Sequence, residues 1–460
     1  MTDVTGALDA LSAKLEGSLT RPGDPRYEEL RAVWNAMIDR RPAAIVRAAT
    51  IGDVVAVVNA AREHGVLLAV RNGGHSMPGF STCDDGIVLD LRDLNTVTFD
   101  PEAGRVAVQG GAMILDLDTA TQAHGHAVPM GTVTHTGVAG LTLGGGLGRL
   151  TRMHGLSIDA LTGVQVVTAD GEIVEASEDE NADLFWGMRG AGPNFGVATR
   201  LDFATFPIGT DMGAAMAVYD LDHARDVLIA LGEYERDAPE HGIVIAALKT
   251  LPAQPPFPPE IHGRTVLFVG ANNFGPPDTA DKELREIARF APTLFDLALR
   301  MPFLAAQQMN DQYFGWGQRN YVKGGLLETI TPAMADAAVE ALEGLPDDHA
   351  EIDFIMMGGA SARVAEDATA YSGRDARFFN GIQSIWHDAA ADDAHRGWVR
   401  STFDALSRFH MSANYVNALE ESSENEVARA YGAGKYERLV ELKRRYDPGN
   451  LFRLNNNIRP

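Results

Sequence analysis

Apolar residues recur along this chain with two alternating periods, one helical and one extended. PAAIVRAA (42–49) is a compact apolar run, and Thr50-Ile51-Gly52-Asp53 supplies the T-x-x-D pattern of a helix N-cap. Val54, Val55, Val58 and Ala61 then fall at helical spacing, and Gly65 stops the helix before the apolar run VLLAV. The pattern predicts strand, helix, strand. GIVLDL (86–91) predicts another strand, and TVTFD-PEAG-RVAVQGG a hairpin, because a Pro/Gly turn separates two alternating segments. A helix is expected over about 113–124, and VQVVTADGEIVEAS reads as a second hairpin turning on Asp170-Gly171. Such short mixed cycles give an α+β fold rather than one regular doubly wound sheet.

Beyond Pro207 the texture changes. Glycine clusters stop, LPAQPPFPPE (251–260) appears, and DKELREIARFA (281–291) predicts a helix. The economical division is 1–207, then 208–410 as a domain with its own sheet, then a tail over 411–460. The tail carries a helix in ARAYGAGKYERLVELKRRYD and the turn-rich, amide-rich PGNLFRLNNNIRP.

Composition narrows the function. With 45% hydrophobic residues in 460, the chain has ample apolar surface for folded cores. The 39 Lys+Arg against 63 Asp+Glu leave a net charge of −24, which argues against general binding of nucleic acid or anionic lipid. A single cysteine, Cys83, excludes an internal disulfide and any multi-cysteine metal site, and reads as a small, partly buried apolar residue. The amino terminus lacks the profile of a secretory signal and no run approaches a membrane span, so the expectation is a cytoplasmic protein without a membrane partner. His124-Gly125-His126 with His135 nearby is a metal-like pattern, but no H-E-x-x-H or carboxylate cluster accompanies it and no metal is expected.

The 47 glycines are concentrated between residues 71 and 196. Arg71-Asn72-Gly73-Gly74-His75-Ser76 follows a strand, where consecutive glycines let backbone N–H groups face an anion such as a pyrophosphate; a tight turn with a solvent-facing histidine is the plainer alternative. Gly137-Val138-Ala139-Gly140-Leu141-Thr142-Leu143-Gly144-Gly145-Gly146-Leu147-Gly148 also requires close backbone approach. Neither this run nor Gly187-Met188-Arg189-Gly190-Ala191-Gly192 has the G-x-G-x-x-G spacing, which disfavours a Rossmann unit.

Five motifs in order carry a resemblance: RNGGHS, GVAGLTLGGGLG, R-x-x-GLSID (152–159), ADLFWGMRGAGPNFGVAT (182–199) and YDPGNLFRLNNNI (446–458). Together they resemble the berberine bridge enzyme-like FAD-linked oxidases of the vanillyl-alcohol-oxidase/PCMH flavoprotein superfamily, over about residues 40–460. The resemblance implies a PCMH-type two-subdomain FAD-binding domain (1–207, completed by 411–460) and a substrate domain (208–410) with a large antiparallel sheet flanked by helices. It implies FAD against Arg71, Asn72, Gly73, Gly74, His75, Ser76 and Gly79, and against Gly131, Thr132 and Thr136. Within the second glycine run it implies Gly137, Gly140, Leu141, Gly144, Gly145, Gly146 and Gly148, with Val197, Tyr415, Asn417 and Asn455 also along the cofactor. By the same resemblance His75 carries the flavin covalently through its 8α-methyl group, a step that a neutral imidazole nucleophile suits.

The chain departs from the family pattern in four places. Val133 stands where many members have a second flavin-linking cysteine, so attachment through His75 alone is implied. Ala418 and Leu147 stand where the usual tyrosine bases would be. Replacement candidates for the proton acceptor are Tyr313, Tyr321, Lys323, Tyr371, Arg374, Asn380, Gln383 and His387, with Tyr371 preferred and Tyr415 as a flavin-face hydrogen bonder. Thr136 replaces an aliphatic residue beside the flavin C4a edge. The implied function is oxidation of a small organic alcohol (sugar or natural product) or amine, with hydride passing to flavin N5 and electrons to O₂ to give H₂O₂. A dehydrogenase using another acceptor, and a flavin-binding protein that has lost catalysis, are the two alternatives.

Overall fold

A computed structural model of the chain describes residues 3–12, 14–346, 349–420 and 423–460. Its first unit is the strand, helix, strand pattern made physical. Thr50 accepts from the Asp53 N–H while the Asp53 carboxylate takes the Thr50 N–H, and Gly65 ends the helix Ile51–His64 in the left-handed region. The flanking strands Ala44–Arg47 and Leu68–Arg71 both run parallel to Ile87–Asp90, which lies between them. Ser18–Thr20 completes this four-stranded sheet at its edge.

Both expected hairpins form, as Val97–Asp100 with Arg105–Gln109 and as Leu161–Val167 with Ile173–Ser177. Val197–Ala204 inserts between them, giving a five-stranded antiparallel sheet. Residues of the tail, among them Val416, Val427, Leu439 and Ile458, share one core with this sheet and with the helix Ala182–Ala191.

Between residues 211 and 386 the chain builds a seven-stranded antiparallel sheet in the order Phe295–Pro302, Asp211–Asp220, Thr265–Asn273, Gly242–Thr250, Ala350–Met356, Phe378–Trp386, Arg319–Leu327. One face is covered by the helices Leu221–Asp237, Pro332–Glu340 and Asp392–Leu406. Ala224, Val227, Leu228 and Leu231 form the apolar stripe of the first of these, packed on Val244, Ala246 and Leu248 of the sheet. Strand alternation sends Ile245, Ala247 and Lys249 to the other face, where they border a large cavity.

Two helical expectations change in detail. The helix over 281–291 is instead Pro277–Leu284 followed by a single 3₁₀ turn to Ala288, since Pro277 supplies an earlier start. The tail helix is two helices, Glu424–Tyr431 and Ala433–Tyr446, because Gly432 sits at φ +78° between them. Among the described residues no helix is long and apolar enough to cross a membrane.

Buried arginines tie the sheets together. Arg152 donates to the Glu235 carboxylate at 2.9 Å and to the carbonyls of Gly242 and Ala238 at 3.0 Å. Arg149 reaches Gln307, Asn272 and the Ala306 carbonyl.

Candidate active site

The cavity, about 930 Å³, is walled by the glycine loops on one side and the open face of the seven-stranded sheet on the other. Asn72 joins the two loops: its Oδ1 accepts from the Ala139 N–H at 3.2 Å and its Nδ2 donates to the Ala112 carbonyl at 3.3 Å. Glycine is required at position 73, where a Cβ would lie 2.3 Å from the Gly137 nitrogen. Likewise a Cβ at Gly144 would lie 2.0 Å from Oδ1 of Asn417, whose Nδ2 donates to the Leu141 carbonyl and the Tyr415 hydroxyl. The tail is anchored from beneath: buried Lys443 donates to Asp447 at 2.7 Å and to the carbonyls of Asn194 and Phe452, holding the turn that brings Asn455 to the cavity.

This wall fits a dinucleotide. Among the described residues, the amide N–H groups of Gly73, Gly74, His75, Ser76 and Met77 have no hydrogen-bond partner, and all five residues line the cavity. Oδ1 of Asn455, buried on the same wall, is also without a partner. Free donors around a large cleft are what a pyrophosphate and a polar ring edge would satisfy.

His75 sits in an aromatic clamp. Its ring stacks on Trp34 at 4.7 Å with a 20° tilt, and Trp316 meets it edge-on at 6.2 Å. Nε2 of His75 lies 2.7 Å from Nδ1 of His135. Desolvation, reinforced by His135, pulls the His75 pKa down to about 3, so the imidazole is neutral.

Across the cavity, three neighbouring strands place Lys249, Glu351 and Gln383 in one cross-strand row. Lys249 pairs with Glu351, and its ammonium also lies 4.5 Å from the Tyr313 ring centroid. The next row is Ala247, Asp353, Gly381, so small neighbours leave the Asp353 carboxyl open to the cavity. Enclosure, then the negative charge of Glu351, push Asp353 well above the usual carboxylate range, with Lys249 pulling the other way. Around this polar row the wall is apolar, with Ile245, Phe268, Leu297, Leu299 and Met301.

Comparison with known proteins identifies the chain. Residues 42–177 match a family described as FAD binding domain, and residues 414–459 one described as Berberine and berberine like. (R)-6-hydroxynicotine oxidase of Paenarthrobacter nicotinovorans is 28% identical over 98% of this chain and 98% of its own length. A FAD-linked oxidoreductase of Dictyostelium discoideum is 28% identical over 99% of this chain and 97% of its own. Among solved structures, 6-hydroxy-D-nicotine oxidase from Arthrobacter nicotinovorans superposes with a TM-score of 0.88 at 26% identity, covering all of both chains. A chitooligosaccharide oxidase shares the fold, with a TM-score of 0.87 at 23% identity over 99% of both chains. The chain is an FAD-linked oxidoreductase with a FAD binding domain and a berberine-like carboxy-terminal segment.

In this FAD-linked oxidoreductase, most residues that the resemblance placed along the cofactor border one cavity: Asn72 to Ser76, Gly131, Thr132, Thr136, Gly137, Gly140, Leu141, Gly144, Gly148, Tyr415, Asn417 and Asn455. Five others of that set, and Tyr371, do not. Arg71 is buried beneath its loop, donating to the carbonyls of Ser81, Leu30 and Arg31. Gly79 packs on Ile38, Gly145 on Tyr415 and Tyr371, and Gly146 on Ser157. Val197 is in the core beside the helix Ile51–His64. Tyr371 lies off the cavity wall, its ring 6.3 Å from that of Tyr415, and its buried hydroxyl has no partner among the described residues.

Burial raises the pKa of both Tyr371 and Tyr415, and Tyr415 accepts hydrogen bonds from Asn417 and the Leu147 N–H. Both phenols are held protonated and are poor proton acceptors. Of the other candidates, Arg374 is spent on a bidentate pair with Asp159 at 2.8 Å, Lys323 lies over the Phe403 ring, and His387 is exposed. Tyr321 accepts from Arg400, and Asn380 donates to the Asp353 carbonyl. Tyr313 and Gln383 line the cavity.

Lys249, Glu351 and Asp353 were not singled out by sequence, although AEIDFIM carries the signal: carboxylates at i and i+2 of an apolar strand share one face. His126 bonds Thr205 and His135 bonds His75, so the apparent histidine cluster is divided between sites. Among the described residues no three His, Cys, Asp or Glu side chains are grouped to hold a metal. Cys83 is buried among Tyr27, Ile45 and Val88, its thiol pushed up to about 11 by burial.

Proposed function

We propose that this enzyme is an oxidase for a largely apolar alcohol or amine, with Asp353 taking the substrate proton. Segments 1–207 and 411–460 form the FAD-binding domain and 208–410 the substrate domain. FAD, when bound, supplies the acceptor for a hydride and, as an oxidase flavin, hands the electrons to O₂ to give H₂O₂. His75 is the single covalent anchor, supported by its neutral, clamped ring and by Val133 at the position of a second link. The free amides of the first glycine loop hold the pyrophosphate.

The observation that carries the reading is the row Lys249, Glu351, Gln383 with Asp353 beside it, facing the glycine loops across an apolar cavity. Oxidising an alcohol or amine requires loss of an O–H or N–H proton as the C–H hydride departs. A carboxyl with an elevated pKa is matched to that task near neutral pH, and Lys249 neutralises Glu351 so that only one negative charge need form in the pair. The apolar wall supports a substrate with a hydrocarbon body, since a free sugar would leave most of its hydroxyls unmatched.

The amine named for the nicotine oxidase relative falls within this class. An anaerobic panel of apolar alcohols, amines and sugars, scored by bleaching of the visible flavin band, tests the reading. Bleaching by apolar alcohols or amines is expected; bleaching by sugars alone would overturn the substrate class, and none at all would favour a flavin protein without catalysis.

A further inference from the structure

The contact between His75 and His135 fixes a tautomer. Nε2 of His135 lies 3.3 Å from the backbone carbonyl of Asp311, which only accepts, so this nitrogen carries hydrogen. In the neutral ring, Nδ1 of His135 is then bare and accepts the Nε2–H of His75 at 2.7 Å. His75, itself neutral, is left with its lone pair on Nδ1. The relay is held rigidly at both ends. The Asp311 carboxylate takes the Thr134 N–H at 2.7 Å and its hydroxyl at 2.5 Å, fixing the residue next to His135. Trp34, stacked on His75, is pinned by its indole N–H on the Phe314 carbonyl at 2.7 Å.

We propose that His135 is the positioning residue for flavin attachment: it directs the bond to Nδ1 of His75 and receives the proton that His75 releases. This rests on the reading of His75 as the anchor. The new bond joins Nδ1 to the 8α carbon, which gives up one hydrogen as a proton. The electron pair of the broken C–H bond stays in the ring system, which is thereby reduced by two electrons, and the Nε2 proton of His75 passes to Nδ1 of His135. Dioxygen then takes two electrons and two protons and departs as H₂O₂, so the linked flavin returns to its oxidised state.

The test follows attachment itself. Full-length protein from flavin-limited cells is mixed with FAD in air. The acid-precipitable flavin fraction is read over time, and the linked nitrogen is assigned by NMR of the isolated flavin peptide. The proposal expects a wild-type Nδ1 linkage, and a His135→Phe protein that still binds FAD, seen as quenching of tryptophan fluorescence, but attaches it at least tenfold more slowly. His135→Asn, whose amide oxygen accepts the Nε2–H without carrying a proton away, should keep the Nδ1 linkage but attach slowly. Wild-type linkage through Nε2, or variants that attach at the wild-type rate, would overturn the proposal while leaving the anchor standing. A wild-type pellet that releases all its FAD would overturn both.

Discussion

The side-chain amide of Gln383 lies 3.0 Å from Oδ2 of Asp353 on the neighbouring row and donates to it, while the same nitrogen donates to Glu351 of its own row. A hydrogen bond to the charged form lowers a carboxyl pKa, so Gln383 opposes the upward push from enclosure and from Glu351. Because a proton acceptor works deprotonated, kcat/KM should rise with pH through the Asp353 pKa, above where an ordinary carboxylate titrates. Gln383→Leu should move that limb to higher pH. A limb that stays in place, measured with the best substrate from the panel, would detach Gln383 from the titrating group.

Gly73→Ala tests the cofactor cradle. The added Cβ would need to sit 2.3 Å from the Gly137 nitrogen, so the two glycine loops must part. Overpacking of this kind costs about 1–3 kcal/mol, and FAD affinity should fall about tenfold or more with little change in far-UV circular dichroism. Titration of apoprotein with FAD, followed by tryptophan quenching, checks it.

Arg152→Met should destabilise the fold without touching the cavity wall. It leaves the buried Glu235 carboxylate only the longer 3.5 Å contact with Arg377 and unpairs the Ala238 and Gly242 carbonyls. Removing one partner of a buried pair costs about 3–5 kcal/mol, to be read as a lower urea midpoint at unchanged slope.

Photoreduced holoprotein exposed to air should reoxidise within seconds, as an oxidase must, although Thr136 stands on the cavity wall in place of an aliphatic residue. Recovery over many minutes would make the enzyme a dehydrogenase, and Thr136→Val would then be expected to speed it.

Where local signals govern structure, the sequence was legible. The Thr50/Asp53 cap, both hairpins and the glycine loops follow from turn and spacing chemistry that tertiary contacts do not override. The cofactor wall was readable because backbone closeness demands glycine, as at Gly73 and Gly144. The proton-accepting side was not. Lys249 meets Glu351, 102 positions away, and the row beside Asp353 only through strand pairing, so no single motif joins them. The place of Tyr371 was hidden for the complementary reason: a tyrosine in a promising segment says nothing about which way its ring faces, and this one lies off the cavity wall beside Tyr415. His135 and His75 were each visible as residues, but their pairing across 60 positions was not.

Asp353→Asn tests the account most directly. The substitution keeps shape and volume but removes the proton acceptor facing the flavin wall. With the panel's best substrate, the anaerobic rate of flavin bleaching should fall about 10²–10⁴-fold, with the pH limb lost and the bound flavin spectrum unchanged. Bleaching at the wild-type rate with the limb intact would contradict the assignment of Asp353 and return the search to the other polar groups of the cavity.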